Sequence, residues 1–223
     1  MDKKKNCAKE ALAYINNYSI VGLGGGSTIS YLIDFIKEKE LQVKVVTPSF
    51  KTKMLCLQNG LDVLHTSFVD HVDVAFDGCD EVDEQLFALK SGGGIHTKEK
   101  LIASMADDYI LLVDDTKFVK ALTFGQPVVL EILEESLAYV TKAVTKLGGE
   151  PVTRQSTAKD GATISDNGNL LLDVHFQAGK DIEKLQGSLK RICGVVDTSL
   201  FTKEVTKVLV ASDDEVKVFE KNK

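Results

Sequence analysis

The run Gly22-Leu23-Gly24-Gly25-Gly26-Ser27-Thr28 leaves a stretch of strand character and enters one of helical spacing. Glycines there let backbone N–H groups approach an anion, and a helix N-terminus with two hydroxyls adds donors and partial positive charge. Such a loop can cradle phosphate. It is not a Walker loop, because no Lys precedes Ser27, and the six-residue dinucleotide pattern fails where Ser27 replaces the last glycine, so a small phosphorylated metabolite fits better than NAD or ATP. A tight strand-to-helix turn with Ser27 as N-cap is the competing reading. A second segment, Val72-Asp73-Val74-Ala75-Phe76-Asp77-Gly78-Cys79-Asp80-Glu81-Val82-Asp83, delivers carboxylates to the end of a strand. Crowded, desolvated acids there can be poised for proton exchange with sugar hydroxyls. A solvated acidic turn, or helix capping by Asp80 and Asp83, is the alternative, and the register of a calcium loop is absent. The third segment, Lys90-Ser91-Gly92-Gly93-Gly94-Ile95-His96-Thr97-Lys98-Glu99-Lys100, opens a second helix on a second glycine run. Thr97 is the expected N-cap, and Glu99 in the first turn can abstract a proton beside a bound anionic oxygen. Glu99 also suits an ordinary first-turn acid and Lys90 a solvated flank, while His96 reads as a surface or packing residue. Lys117, in Asp114-Asp115-Thr116-Lys117, adds positive charge after another strand.

The elements that must position these residues follow from periodicity. Up to about residue 125, short β-branched runs alternate with helical patterns, the signature of βαβ units feeding a parallel sheet. Helices are expected at about 3–16, 28–39, 49–58 and 97–107, and strands at 20–23, 43–47, 72–76 and 109–113. Tyr31, Leu32, Phe35 and Ile36 recur at helical spacing, and Gly60 is a stop signal after Asn59. After Pro127 the rhythm becomes strand 128–133, helix 134–147, strands 152–155 and 170–176, helix 181–191 and strand 195–201. That is the βαββαβ order of a small open sheet with helices on one face. Strands 207–211 and 216–220 return to the first sheet as edges. The expected class is therefore α/β: a Rossmann-like, mainly parallel sheet with helices on both faces, plus a small ferredoxin-like α/β domain. Residues 1–125 and about 206–223 would form the main domain, and about 126–205 the small one. In an open α/β sheet ligands bind outside the carboxyl ends of the strands, so both glycine runs, the acid cluster and the two lysines are expected at one edge.

Composition removes several function classes. At 223 residues and 43% apolar content a substantial core can form. A formal charge of −6 and a pI near 5.3 argue against nucleic acid as a partner. No apolar run approaches the roughly 18 residues of a membrane span, and the polar start Met1-Asp2-Lys3-Lys4-Lys5 lacks a signal-type core, so a soluble, cytoplasmic protein is expected. Cys7, Cys56, Cys79 and Cys193 are scattered without metal or disulfide spacing and read as reduced packing residues. The four histidines, 65, 71, 96 and 175, show no ligand pairing, so no metal is expected.

Taken together, VGLGGGST, TPSFKTKMLCLQNGL, DVAFDGCDEVD, KSGGGIHTKEKLIA, DDTK, VTKLGGEPVTRQ and SDNGNLLLDVHF resemble, in order along most of the chain, the type A ribose-5-phosphate isomerase family. The resemblance implies a main sheet-and-helix domain with a small α/β domain, no cofactor, and a homodimer or homotetramer. It implies an aldose–ketose isomerase interconverting ribose 5-phosphate and ribulose 5-phosphate in the non-oxidative pentose phosphate pathway. Carried over by motif, Glu99 resembles the general base, and Asp77, Asp80 and Lys90 resemble the groups around the sugar oxygens. Ser27 and Thr28, with Gly24, Gly25 and Gly26, would bind phosphate; Gly92, Gly93, Gly94 and Lys117 would join the substrate site, and Lys4 would be an N-terminal phosphate contact. Two departures stand out: Gly25 replaces the threonine of the common GTGST run, and Ser91 replaces a frequent glycine.

The mechanism these residues suggest is proton transfer through an enediolate: Glu99 moves a proton between C2 and C1, Asp77 moves hydroxyl protons or assists ring opening, and Lys90 with the loop amides stabilises charge on oxygen. Two rivals remain at this level. A non-catalytic sugar-phosphate sensor would keep the cradle without turnover, and an isomerase of the same fold could act on another sugar phosphate, such as an amino sugar.

Overall fold

In the computed structural model, residues 2–157 and 159–221 are described. The N-terminal half alternates as the periodicity predicts, with one short strand, β3, that it does not: α1 (Lys3–Ala11), β1 (Ile20–Leu23), α2 (Ser27–Glu38), β2 (Lys44–Val46), α3 (Phe50–Gln58), β3 (Asp62–Val63) and β4 (Val72–Asp77). There follow β5 (Glu81–Asp83), β6 (Ala88–Leu89), α4 (His96–Met105), β7 (Ala106–Asp114) and β8 (Phe118–Val119). The second half runs β9 (Val128–Ile132), α5 (Leu137–Lys146), β10 (Glu150–Thr153), β11 (Gln155–Ser156), β12 (Lys159–Ala162), β13 (Leu170–His175), α6 (Ile182–Lys190), β14 (Val195–Thr198), β15 (Leu200–Phe201), β16 (Lys207–Ala211) and β17 (Val216–Glu220).

Seven strands form the central sheet in the order β17-β16-β7-β4-β1-β2-β3, parallel throughout except for the edge pair β16–β17. The chain winds outward from β1 in one direction and from β4 in the other, so the reversal of strand order lies between these two neighbours. That reversal opens a crevice at their carboxyl ends. Side chains alternate across the pleat: Val21, Leu23, Val74, Phe76, Ile110 and Leu112 pack under α1 and α2, whereas Ala75, Tyr109, Leu111 and Val113 pack under α4. Helices therefore cover both faces.

The second sheet is antiparallel, in the order β10-β13-β9-β14, which with α5 and α6 is the ferredoxin-like arrangement. Val128, Leu130, Ile132, Leu172 and Val174 face Val140 and Val144 of α5 and Leu185 and Leu189 of α6. The alternate residues Glu131, Leu171, Asp173 and Asp197 point the other way, toward α4 and the loop before it. One period-two pattern thus makes a dry helix-packed face and a polar face turned to the first sheet. A small sheet, β15-β6-β5-β8, stitches the two together.

Several boundaries depart from the periodicity. The first helix stops at Ala11, with a 3-10 turn over Leu12–Tyr14 and Tyr18 at positive φ. Residues 134–136 form a 3-10 turn ahead of α5. The strand expected at 152–155 divides at Arg154 into β10 and β11, and that expected at 195–201 divides at Ser199 into β14 and β15. Ser199 sits at a crossover: its hydroxyl accepts from Val129 N–H at 2.8 Å and its carbonyl accepts from Lys90 N–H at 3.0 Å. Chain paths set by such long-range bonds leave no trace in local periodicity.

Candidate active site

β1 ends at Leu23 and the glycine turn carries the chain straight into α2. A Cβ at Gly24 would stand 2.0 Å from the Asp77 carboxyl, so the close approach of β4 demands glycine there. Gly26 has φ +99° and is the N-cap of α2, a role the sequence reading gave to Ser27, which is instead the first helical residue. The hydroxyls of Ser27 and Thr28 consequently stand in the first turn, at the positive end of the helix. Thr97 is likewise inside α4, whose N-cap is Ile95, with the Thr97 side chain beside Glu131. The glycine turn before α4 ends at Gly94, φ +68°, where a Cβ would press to 2.7 Å from Leu171.

Asp77, at the end of β4, is the organising anion. Its Oδ1 accepts from Gly78 N–H at 2.8 Å and Gly25 N–H at 3.3 Å, and its Oδ2 from the Tyr109 hydroxyl at 3.1 Å. Lys90 Nζ lies 3.0 Å from Asp77 Oδ2 and 3.4 Å from Glu99 Oε1, and also donates to the Gly78 carbonyl. All three ionisable side chains are at least nine-tenths buried. Burial raises the Glu99 carboxyl to about 8, the Asp77 charge adds to the rise, and Lys90 opposes it. Burial alone would lower the Lys90 ammonium, but Asp77 and Glu99 outweigh it and hold it above its usual value.

Asp80 is neither a helix cap nor a free acid. Its Oδ2 accepts from the N–H groups of Ser91 at 2.5 Å and Gly92 at 3.1 Å, so it shapes the second glycine turn. Asp83 caps a turn instead, accepting from Gln85 and Phe87 N–H at 3.0 Å each. The Ser91 hydroxyl donates to the Pro127 carbonyl, which gives the departure from glycine a tethering role. Lys117 Nζ donates to the Cys79 carbonyl at 2.8 Å, at the mouth of the crevice.

These groups surround a cavity of about 560 Å³ lined by Lys4, Gly25, Gly26, Ser27, Thr28, Asp77, Asp80, Lys90, Gly92, Gly93, Glu99 and Lys117. The sequence-predicted residues therefore meet, apart from Gly24 and Gly94, which back the wall without facing the cavity. Reading the sequence missed Tyr109, whose apolar setting on β7 concealed its hydroxyl, and Asp166 and Ser49, which also line the cavity. It also missed Arg154, which reaches the second glycine turn from the second sheet. His96 is fully buried against the Asp197 carbonyl, and burial lowers its ring to about 4, so it packs as a neutral residue. Among the described residues, no group of three or more His, Cys, Asp or Glu side chains is arranged to hold a metal ion.

Residues 44–215 match the family described as ribose 5-phosphate isomerase A, or phosphoriboisomerase A. Ribose-5-phosphate isomerase A of Methanocaldococcus jannaschii is 40% identical over 99% of this chain and 98% of the relative. The Synechococcus enzyme of that name is 39% identical over 95% and 93%. The solved M. jannaschii structure superposes with a TM-score of 0.92 at 38% identity, covering 98% of each chain. A D-ribose-5-phosphate isomerase in complex with phospho-erythronic acid superposes at 0.93 and 32% identity, again over 98% of each chain.

Proposed function

The chain belongs to the ribose 5-phosphate isomerase A family and is an isomerase of D-ribose 5-phosphate and D-ribulose 5-phosphate, and we propose that it works by proton transfer through an enediolate with Glu99 as base. The observation that carries this reading is a buried carboxyl poised near neutrality, 3.4 Å from Lys90 Nζ, on a helix opening that faces the cavity. Glu99 takes the proton from C2 of the open-chain aldose, and the released electron pair forms the C1–C2 double bond while charge moves onto O1. Lys90, held in place by Asp77, lies beside that developing charge. A proton passes from O2 to O1 and Glu99 returns its own proton to C1, leaving the ketose. Asp77 serves ring opening by exchanging one of its present hydrogen bonds for a sugar hydroxyl, and Asp80 shapes the turn that receives the sugar. Ser27 and Thr28, with Gly25, Gly26, Lys4 and Lys117, hold the phosphate, and Gly24 lets β4 approach the turn from behind. Gly92 and Gly93 bring the second turn's backbone close to the reacting carbons, and Gly94 behind them supplies the turn's positive φ.

The test is turnover of ribose 5-phosphate by the EDTA-treated protein beside Glu99→Gln. A positioned base contributes about 10²–10⁴-fold, so the variant should lose at least that while still binding substrate; near-normal turnover would overturn the assignment. The base must be ionised to act. With its carboxyl raised to about 8, kcat/KM should climb with pH up to that value and level above it. The same shift has a stability sign: between the ordinary carboxylate range and about 8, the folded state holds a proton that the unfolded state has released. Glu99 therefore contributes a stability that falls as pH rises through that window. His96, whose buried ring is lowered to about 4, contributes the opposite slope up to about 6.5, so the net decline lies between there and about 8, where Glu99→Gln should flatten it.

We also propose a homodimer or homotetramer located in the cytoplasm, with 1–125 and about 206–223 as main domain and about 126–205 as small domain. Phe50 and Phe68, 74% and 88% exposed, and Leu101 support association. No helix among the described residues is long and apolar enough to cross a membrane. Light scattering on the purified chain decides the subunit number.

A further inference from the structure

Arg154, between β10 and β11, has a guanidinium divided between two tasks. Its Nε donates to Asp173 Oδ1 and Oδ2 at 2.9 and 3.1 Å, and Nη2 lies 2.7 Å from Oδ1. The outer nitrogens donate to two successive backbone carbonyls of the catalytic glycine turn: Nη2 to Ser91 at 2.9 Å and Nη1 to Gly92 at 3.3 Å. In a trans peptide the N–H points opposite the C=O, and no cis bond is present among the described residues. The peptide joining Ser91 and Gly92 is thus pinned at both ends, its oxygen on Arg154 and its N–H on Asp80. The next peptide has its oxygen on the same guanidinium, so the Gly93 N–H points away from Arg154, to the side that Asp80 occupies for its neighbour. Gly93 lines the cavity, and its N–H meets no acceptor among the described residues.

We propose that Arg154 is a positioning residue for catalysis, turning the Gly93 N–H into the cavity as a preorganised donor to the enediolate oxygen. The inference rests on the isomerase reading above and adds to it a group outside the cavity. Glycines at 92 and 93 leave both peptide planes free to rotate, and an untethered turn would sample orientations in which its N–H faces solvent. A planar fork can hold two carbonyls at once, and a lysine ammonium at this position cannot hold both in one fixed geometry. The donor is then in place before charge develops, which is where such a group acts most strongly.

The experiment compares wild type, Arg154→Ala, Arg154→Lys and Glu99→Gln, measuring kcat, KM, and affinity for phospho-erythronic acid and for inorganic phosphate. Losing an aligned oxyanion donor costs about 10²–10³ in kcat, and a turn that is loosened but still present should lose roughly 10–100-fold. Arg154→Ala should therefore lower kcat by that factor with KM within about threefold of wild type. Phospho-erythronic acid affinity should fall in step with kcat, and phosphate affinity should stay constant. Arg154→Lys should remain close to the alanine variant, and added guanidinium ion should restore part of the kcat of Arg154→Ala. Wild-type kcat in Arg154→Ala, or full recovery in Arg154→Lys, would overturn the proposal, as would equal losses of phosphate and phospho-erythronic acid binding. If Arg154→Ala fails to fold, Asp173→Asn carries the same test, because it frees the fork while keeping it: an intermediate kcat loss supports the role and an unchanged kcat overturns it. Turnover surviving in Glu99→Gln would instead remove the base assignment, so the two failures are distinguishable.

Discussion

The crevice at the edge of the first sheet and the polar face of the second sheet both bury charged side chains, and they treat the charge in opposite ways. At the crevice between β1 and β4, Asp77 and Glu99 share one ammonium, Lys90, and Glu99 is driven above its ordinary value by burial and by its neighbour's charge. On the polar face of the second sheet, each buried acid is satisfied. Burial would raise Asp197, but Lys100 at 2.9 Å, Lys190 at 3.1 Å and the Thr198 N–H hold it below the usual range. Burial would raise Glu131 too, yet Ser165, Thr97, Asn169 and Asn167 surround its carboxylate and lower it. The contrast separates two uses of a buried ion: a satisfied one holds elements in place, and a frustrated one stores the readiness to exchange a proton. Both regions grip the same helix, α4, one through Glu99 and the other through the adjacent Lys100.

Lys90→Met should break the first region most severely. Asp77 and Glu99 would face one another without a cation, Glu99 would hold its proton more tightly, and turnover should fall about 10²–10³-fold. A pH profile shifted to higher pH in the residual activity checks the cause. Lys100→Met addresses the second region and should act on stability. Unpairing a buried carboxylate costs about 3–5 kcal/mol, and Lys190 remaining beside Asp197 places this variant at the lower end. Urea denaturation measures the loss; an unchanged midpoint would erase the distinction between the regions. Gly25→Thr should matter least. A Cβ there meets only Ser49 atoms at 3.9 and 4.0 Å, so the variant should fold within about 0.5 kcal/mol of wild type. Its KM for ribose 5-phosphate then reports what a threonine side chain at this point of the cavity wall contributes. Gly24, one residue away, allows no such exchange, because a Cβ there would stand 2.0 Å from the Asp77 carboxyl.

Much of this was legible because local rules and tertiary structure agree. The βαβ rhythm, the glycine stop at Gly60 and the strand carrying Asp77 reflect periodicity and backbone chemistry that act within a few residues, and β4, α2, α3 and β16 lie where that chemistry puts them. The acid cluster was read less well. Asp77, Asp80 and Asp83 look alike in sequence, yet one gathers the site, one bonds the glycine turn and one caps the turn that follows it. Arg154 lies within the VTKLGGEPVTRQ stretch, yet its role was not legible, because that role lies in carbonyls more than sixty residues away.

The sequence by itself determined the order of elements, their packing periodicities and the residue types delivered to one sheet edge, since each depends on neighbours along the chain. The tertiary structure decided which acid shares Lys90, which amides Asp80 occupies and which face of the second sheet supports α4. Those outcomes depend on burial and on distances between residues remote in sequence, and burial is what turns an ordinary glutamate into one poised near neutrality.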